Sequence, residues 1–564
     1  MGRPFQLKPV VPGTSRRDFF KATGSAAAVA ATGALAGGAQ AAGPVFQHGV
    51  ASGDPLHDRV ILWTRVTVAP STKPTLVSYV VATDPGLRNV VVRGSARTGA
   101  EADYTVKVDA GSVLAALRPN TTYYYQFAAG GQVSPIGRTK TLPLGSVGTL
   151  RFAVVSCSNH AYGYFNAYAR IAARADLDLV MHLGDYIYEY GASQYGSARA
   201  PEPSVEIVTL SDYRTRHAQY KRDPDSQAMH RQHPLVAIWD DHETANNAWT
   251  NGAENHTPGT EGVWSARVAA ALQAYYEWMP VRQPDLANPR VNHRRFSYGD
   301  LAEVLMLEER VSARSEQLSA APHPTIFGAG FATTDSTYAD PSRTLLGDSQ
   351  EAWLLDRLRT TPARWKLIGQ GVMFAQLKVP GANQATDPGL YYINSDQWDG
   401  YEPARNRIYD ALRGGAGQPK VNDVVVLTGD IHSSWASDLT ANPYNPVVAN
   451  GGYDKATGQG SLAVEFVGTS VTSPGIDSDT TGQIAGAIRF YNPHFKYVNL
   501  TRRGYMLIDV NPTRVVGEWW FVDTVTAPST NEAFATAFQV ETGTNRLSPA
   551  SQTPARPGAA PLAP

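Results

Sequence analysis

The 564-residue chain has a single cysteine, Cys157, so no intrachain disulfide framework supports it. It has no excess of either charge: 49 Lys and Arg against 50 Asp and Glu leave a formal net charge of -1. That balance excludes nucleic-acid binding driven by counterion release, and no polybasic stretch offers a membrane patch. Long apolar runs are also missing. The most apolar stretch near the N-terminus is rich in Ala and Gly and poorly suited to a spanning helix. No internal repeat occurs at a fixed spacing. What remains is a chain of globular composition, 43% hydrophobic and 10% aromatic, and long enough for two or more domains.

The first 42 residues read as an export leader. "TSRRDFFKATGSAAAVAATGALAGGAQAA" places Arg16 and Arg17 before a weakly apolar run, and Ala39-Gln40-Ala41 offers a cleavage site. The paired arginines point to the twin-arginine machinery as a partner, and to a secreted or periplasmic location without a stable membrane anchor. Residues 44–145 alternate in short β-branched and aromatic runs, such as "VILWTRV" and "LVSYVVATD". A Leu-x-Pro turn then leads into the strand "TTYYYQFAA". A β-sandwich resembling a fibronectin type III module is expected, with Asp54 of "GVASGDP" as a turn former. From Thr149 to about 527 the grammar becomes strand, helix, strand, as in a parallel α/β unit. The remainder, 528–564, ends in a Pro/Ala-rich stretch after Ser548 that is expected to fray.

The chemistry lies in how the α/β strands end. "LRFAVVSCSN" ends on Cys157 and Asn159, and "LDLVMHLGDYIYEYG" on Asp185 and Tyr188. "PLVAIWDDHE" ends on Asp240, Asp241 and His242, and "DVVVLTGDIHSS" on Asp430 and His432. Open α/β sheets bind ligands beyond the carboxyl ends of their strands. One such residue can be a helix cap or a buried thiol. Four sets on one edge would repel and resist desolvation unless a cation joined them. Phenolate and thiolate suit a high-valent iron, while carboxylates suit iron, manganese, magnesium or calcium. A carboxylate bridging two ions fits phosphoryl transfer. Gly184 permits the turn, Asp185 can bridge, and Tyr188 can return to ligate.

The ordered set "SCSN", "LGDYIYEYG", "WDDHE" and "GDIH", with "RTLLGDSQEAWL", "WDGY" and "NPHFKYVNLTRRGY", resembles the PhoD-like alkaline phosphatases of the calcineurin-like metallophosphoesterases. The resemblance runs from about Phe46 to Asp523. It implies a four-layer αββα catalytic sandwich and hydrolysis of phosphate esters with Fe3+ and Ca2+. Cys157, Asp185, Tyr188 and His432 correspond to iron ligands, with Asp185 bridging. Asp241 corresponds to a ligand of the second metal, and Asp430 replaces one of the superfamily's paired histidines. His242 corresponds to the transition-state histidine. Asn159 holds the place of an early ligand or a phosphate contact, and Asp240 that of a ligand or its support. Gln370-Gly371 and Glu308-Glu309 depart from the family pattern. Glu308, Glu309 and Arg310 are compatible with an ordinary surface ion-pair network. Diester cleavage of the phospholipase D or nuclease type is the alternative chemistry. A secreted binding protein with an inactive site would need missing ligands, and none is missing.

Overall fold

The computed structural model describes residues 44–68, 73–111, 116–318, 323–332, 337–415 and 417–564. The expected leader, residues 1–42, lies outside them. None of the described helices is long and apolar enough to cross a membrane.

The apolar runs that precede the chemical motifs are strands, and they belong to two sheets. In the larger, ten-stranded sheet, Leu150–Val155, Leu179–Leu183 and Pro234–Ile238 lie side by side and parallel. In the seven-stranded sheet, Ala302–Met306, Trp365–Gln370, Val424–Thr428 and Ala463–Val467 do the same. Successive side chains of a strand point to opposite faces. These strands are apolar on both faces over most of their length because both faces are covered. Phe152, Val154, Met181, Leu183, Val236 and Ile238 of the first sheet pack with Val304, Met306, Leu367, Leu427 and Phe466 of the second. The alternate residues Ala153, Val155, Val180 and Ala237 face a cluster with Tyr168, Ile171, Met229, Val268 and Leu272. On the other sheet Leu305, Ile368, Val424 and Val426 pack with Leu354, Leu358, Ile408 and Leu412. Each fully buried aliphatic side chain contributes roughly 1.5–3 kcal/mol. The two parallel arrays therefore hold their loop-bearing ends in a fixed relation.

The helices start where local hydrogen bonding tells them to. Thr209 and Asp212 form a reciprocal capping box for helix Leu210–Arg222, and Asp223 caps helix Pro224–Gln232, which has Pro224 in its first turn.

The N-terminal region differs from an isolated sandwich. Thr75–Ala82, Val90–Thr98, Thr122–Ala129, Gln132–Val133 and Gly137–Lys140 form a separate five-stranded sheet. Val50–Gly53, Val60–Arg65 and Thr105–Ala110 instead extend the ten-stranded sheet, because Ser52 and Gly53 pair in parallel with Pro234 and Leu235. Asp54, expected only to shape a turn, is buried. It does have a left-handed φ of 39°, but its carboxylate also accepts from Arg294 Nε at 3.0 Å and from the Arg282 amide at 2.7 Å.

The C-terminal tail is a second departure. Strands Glu532–Glu541 and Leu547–Ala550 complete one edge of the large sheet, and the Pro/Ala-rich segment, expected to fray, is hydrogen-bonded to the body of the molecule. The Thr553 amide donates to Glu518 Oε1 at 2.6 Å, and Arg556 Nη2 donates to Asp178 Oδ2 at 2.7 Å. Tyr124 donates to the Pro561 carbonyl at 2.6 Å, and the Gln232 side chain pairs with both backbone groups of Ala563. Proline removes donors but leaves carbonyls, and those of Pro554 and Pro561 accept from Arg151 and Tyr124.

Candidate metal centre

All four predicted strand ends meet at one edge, and the turns that bring them there are tight. Cys157, Asp185, Asp430 and His432 all have left-handed backbones, with φ of 59°, 56°, 58° and 55°. Such conformations are uncommon for residues with a Cβ, and persist when the surrounding structure enforces them. Gly184, at φ 102°, answers to a steric demand, since a Cβ there would lie 2.3 Å from Cβ of Asp240. The turns are stitched across the edge: the Cys157 amide donates to the Gly184 carbonyl, the Ser158 amide to Asp185, and the Gly429 amide to Gly371. Glu243, unremarked in the sequence, organises the Asp185 turn. Its carboxylate accepts from the amides of Asp185, Tyr186 and Asp240 at 3.0, 2.6 and 2.8 Å.

The side chains converge in three overlapping groups whose candidate ligand atoms lie within 4.8 Å of one another: Cys157, Asp185 and His432; Asp185, Asp241 and His242; Asp240, Asp241 and Asp430. Asp185 links the first two and Asp241 the last two. The Tyr188 hydroxyl donates to Asp185 Oδ2 at 3.0 Å, lies 3.1 Å from His432 Nε2, and accepts from Ser473 Oγ at 2.6 Å. His432 Nδ1 donates to the Pro474 carbonyl at 2.8 Å, so its Nε2 lone pair faces the cluster. Burial and the neighbouring His242 lower the His432 pKa to about 3, keeping the ring neutral.

The donor set fits cations. Asp185 is buried, and its Oδ1 has no hydrogen-bond partner. Burial first, then nearby carboxylates, push Asp185 well above the usual range, and burial with Asp240 pushes Asp430 up to about 8. Burial and Asp185 likewise raise the Cys157 thiol and the Tyr188 phenol. These groups strongly disfavour their anionic forms unless positive charge stands among them.

Part of that charge is built in. Arg310, compatible by sequence with a surface ion-pair network, is completely buried. Its guanidinium binds Asp240 through Nε and Nη2, binds both oxygens of Asp396 at 3.0 and 2.8 Å, and approaches Asp430 at 3.5 Å and Asp241 at 3.9 Å. Its neighbours are not surface groups either. Glu308 accepts from Trp239 Nε1 and from the amides of Arg310, Val311 and Ser312, while Glu309 accepts from the Gly371 and Val372 amides. Asp240 is therefore engaged by Arg310, which suits support better than ligation. Asp241 lies at the edge of that grip, 3.9 Å from the guanidinium. Burial raises its pKa, but Arg310, His242 and the Asn247 amide, which donates at 2.6 Å, outweigh burial and hold it ionised.

His242 lies beside the cluster, 4.2 Å from Tyr188 between ring centroids. Its Nδ1 donates to Glu189 Oε2 at 2.7 Å, and Glu189 is fixed in turn by the Asn246 amide and Asn255. Burial works against protonation of His242, but Asp241, Glu189 and Asp185 together raise its pKa well above the ordinary value. Asn159 also has partners of its own in the backbone. Its Oδ1 accepts from the Ala161 amide at 2.9 Å and its Nδ2 donates to the Tyr195 carbonyl at 2.6 Å, so its side chain ties down loops. Glu189 stands inside the quoted "YIYEYG", where a salient carboxylate could have been noted. Ser473 and Asp396 lie in stretches that carried no such signal.

These strand-end clusters have counterparts in known proteins. The PhoD-like phosphatase family matches residues 152–519, and the N-terminal domain of PhoD-like phosphatases matches residues 29–143. Alkaline phosphatase D of Bacillus subtilis (strain 168) is 37% identical over 497 residues, covering 86% of this chain and 78% of that protein. A solved structure described as the structure of PhoD superposes with a TM-score of 0.77 at 35% identity, covering 91% of this chain and 94% of that one. With its mixed α/β sheets, and with both catalytic and N-terminal parts matched in order, the chain belongs to the PhoD-like phosphatase family and is a phosphatase.

Proposed function

We propose that this phosphatase is exported and metal-dependent, and that it hydrolyses phosphate monoesters or diesters with Fe3+ and Ca2+. The observation that carries the reading is the unpartnered, buried Asp185 Oδ1, set among a thiol, a phenol, an imidazole and a second carboxylate. A thiolate and a phenolate favour iron, so Cys157, Tyr188, His432 and Asp185 would hold Fe3+. An all-oxygen set favours calcium, so Asp185, Asp241 and Asp430 would hold Ca2+. When bound, the ions supply Lewis-acid activation of water and of the phosphoryl group. The protein's own residues do the rest. Glu189 orients His242 through Nδ1 and leaves Nε2 for the leaving-group oxygen, which it would protonate as the ester bond breaks. Pro474 orients His432, and Arg310 keeps Asp240 and Asp396 from competing for a cation.

The framework is part of the same reading. The apolar clusters between the sheets and on their outer faces support an αββα layering, and the residues shared across the N-terminal strands support a fibronectin type III-like sandwich. Arg16 and Arg17 support twin-arginine export.

Oxygen-rich calcium sites exchange with solvent. A calcium chelator is therefore expected to reduce turnover of a nitrophenyl monoester and a bis-nitrophenyl diester, with recovery on adding calcium. Turnover untouched by prolonged chelation would remove calcium from the proposal. The side-by-side rates assign the preferred ester.

A further inference from the structure

The residues of the proposed centre differ in exposure. Cys157, Asp185, Tyr188 and Asp241 are buried, whereas Asp430 and His432 are partly exposed, so a phosphate ester must arrive across the latter two. Two partly exposed tyrosines border that approach, Tyr190, 5.5 Å from the His242 ring, and Tyr195, on the loop after the Asp185 turn; of the two, only Tyr195 also lies against His432. Its ring lies over Tyr188, with centroids 5.8 Å apart, and between the two imidazoles of the centre, 6.1 Å from His242 and 6.3 Å from His432. Tyr190 backs it at 5.1 Å.

The position is built, not incidental. Asn159 grips the Tyr195 carbonyl at 2.6 Å. The next residue, Gly196, has φ 133°, and a Cβ there would lie 2.7 Å from the Ala161 backbone, so the loop is pressed onto the turn that follows Cys157. The Ala198 amide donates to the Ala161 carbonyl and closes the loop. The hydroxyl is 3.4 Å from His432 Nδ1, but that nitrogen already gives its hydrogen to Pro474 at 2.8 Å. The phenolic O–H is thus held at the mouth without a strong acceptor. A phosphoryl oxygen is such an acceptor, and hydrogen bonds to charged groups are the stronger ones.

We propose that Tyr195 contacts the substrate, its hydroxyl donating to a non-bridging oxygen of the phosphoryl group. Asn159, read from sequence as a phosphate contact, acts through this residue by fixing its backbone. The inference rests on the metal-centre reading above, and the test separates the two. Tyr195→Phe, made in the full metal-loaded enzyme, is compared with the wild type for metal content, for inhibition by inorganic phosphate, and for kcat and KM on a nitrophenyl ester. The expected result is unchanged metal content, with a phosphate inhibition constant about tenfold higher and kcat/KM lower by a similar factor. Values within about twofold of wild type overturn the inference while leaving the metal centre intact. Loss of metal, or a changed visible absorption at unchanged phosphate affinity, makes Tyr195 a support of His432 and also overturns it. A metal-loaded wild type blind to both ester and phosphate overturns the reading of the centre itself, and this inference with it.

Discussion

His242 shows how much one residue depends on its neighbours. Its ring stacks near Tyr188, its Nδ1 is taken by Glu189, and the carboxylates of Asp185 and Asp241 favour its protonated form. In the proposed mechanism that combination acts mainly on the transition state, so removing it lowers kcat and kcat/KM together. His242→Ala is expected to keep its metals and lose at least about tenfold in turnover of nitrophenyl phosphate, whose leaving group barely needs a proton. An alkyl ester suffers more. Equal small losses on both esters would show that His242 does not assist the leaving group, and loss of metal would make it a ligand. At this scale the sequence was legible wherever a chemical residue directly followed an apolar run, as at Cys157, Asp185, Asp241 and Asp430. It was not legible for Arg310. The partner that explains its burial, Asp396, is 86 positions away, and nothing local distinguishes a buried guanidinium from a surface one. The backbone bonds of Asn159 follow a general habit of the residue: asparagine serves nearby backbone readily, and here it does.

Among the elements, the C-terminal tail behaves least as its composition suggests. Pro and Ala show neither helical nor strand periodicity, so the tail's carbonyl partners could not be seen in the sequence. Yet Thr553, Pro561 and Ala563 bind Glu518, Tyr124 and Gln232, respectively. Deleting residues 551–564 leaves one oxygen of the buried Glu518 carboxylate without its partners, a cost of about 1–3 kcal/mol. The truncated protein is expected to melt a few degrees lower, with metal content and turnover unchanged. An unaltered melting temperature would mean that the tail does not dock. The parallel strands were legible because apolar runs bounded by turn residues leave little alternative. The N-terminal strands were legible as strands, but their continuity with the catalytic sheet was not, because it rests on the pairing of Ser52 and Gly53 with a strand about 180 residues later.

For the whole molecule, the number of buried imidazoles sets an acid limit. Burial lowers His48, His182, His217, His233 and His494 to about 3 each. These rings stay neutral in the folded state, while the unfolded chain takes up protons below about pH 6.5. Their contribution is fully present above that value and falls as pH drops through the window from about 6.5 to 3. Melting at pH 5 is therefore expected well below melting at pH 7.5, at constant saturating calcium. Equal melting temperatures would show that the rings are hydrated or protonated when folded.

In the proposed function, the strand ends of both sheets hold an iron with a thiolate and a phenolate. Elemental analysis of the purified protein, alongside Cys157→Ala and Tyr188→Phe, tests it most directly. Both residues follow strand ends at the loop edge, so circular dichroism should show the fold retained in each variant. About one iron per wild-type chain is expected together with calcium, and loss of iron and of visible colour in both variants. Zinc alone in the wild type, or full iron and activity in both variants, would contradict it.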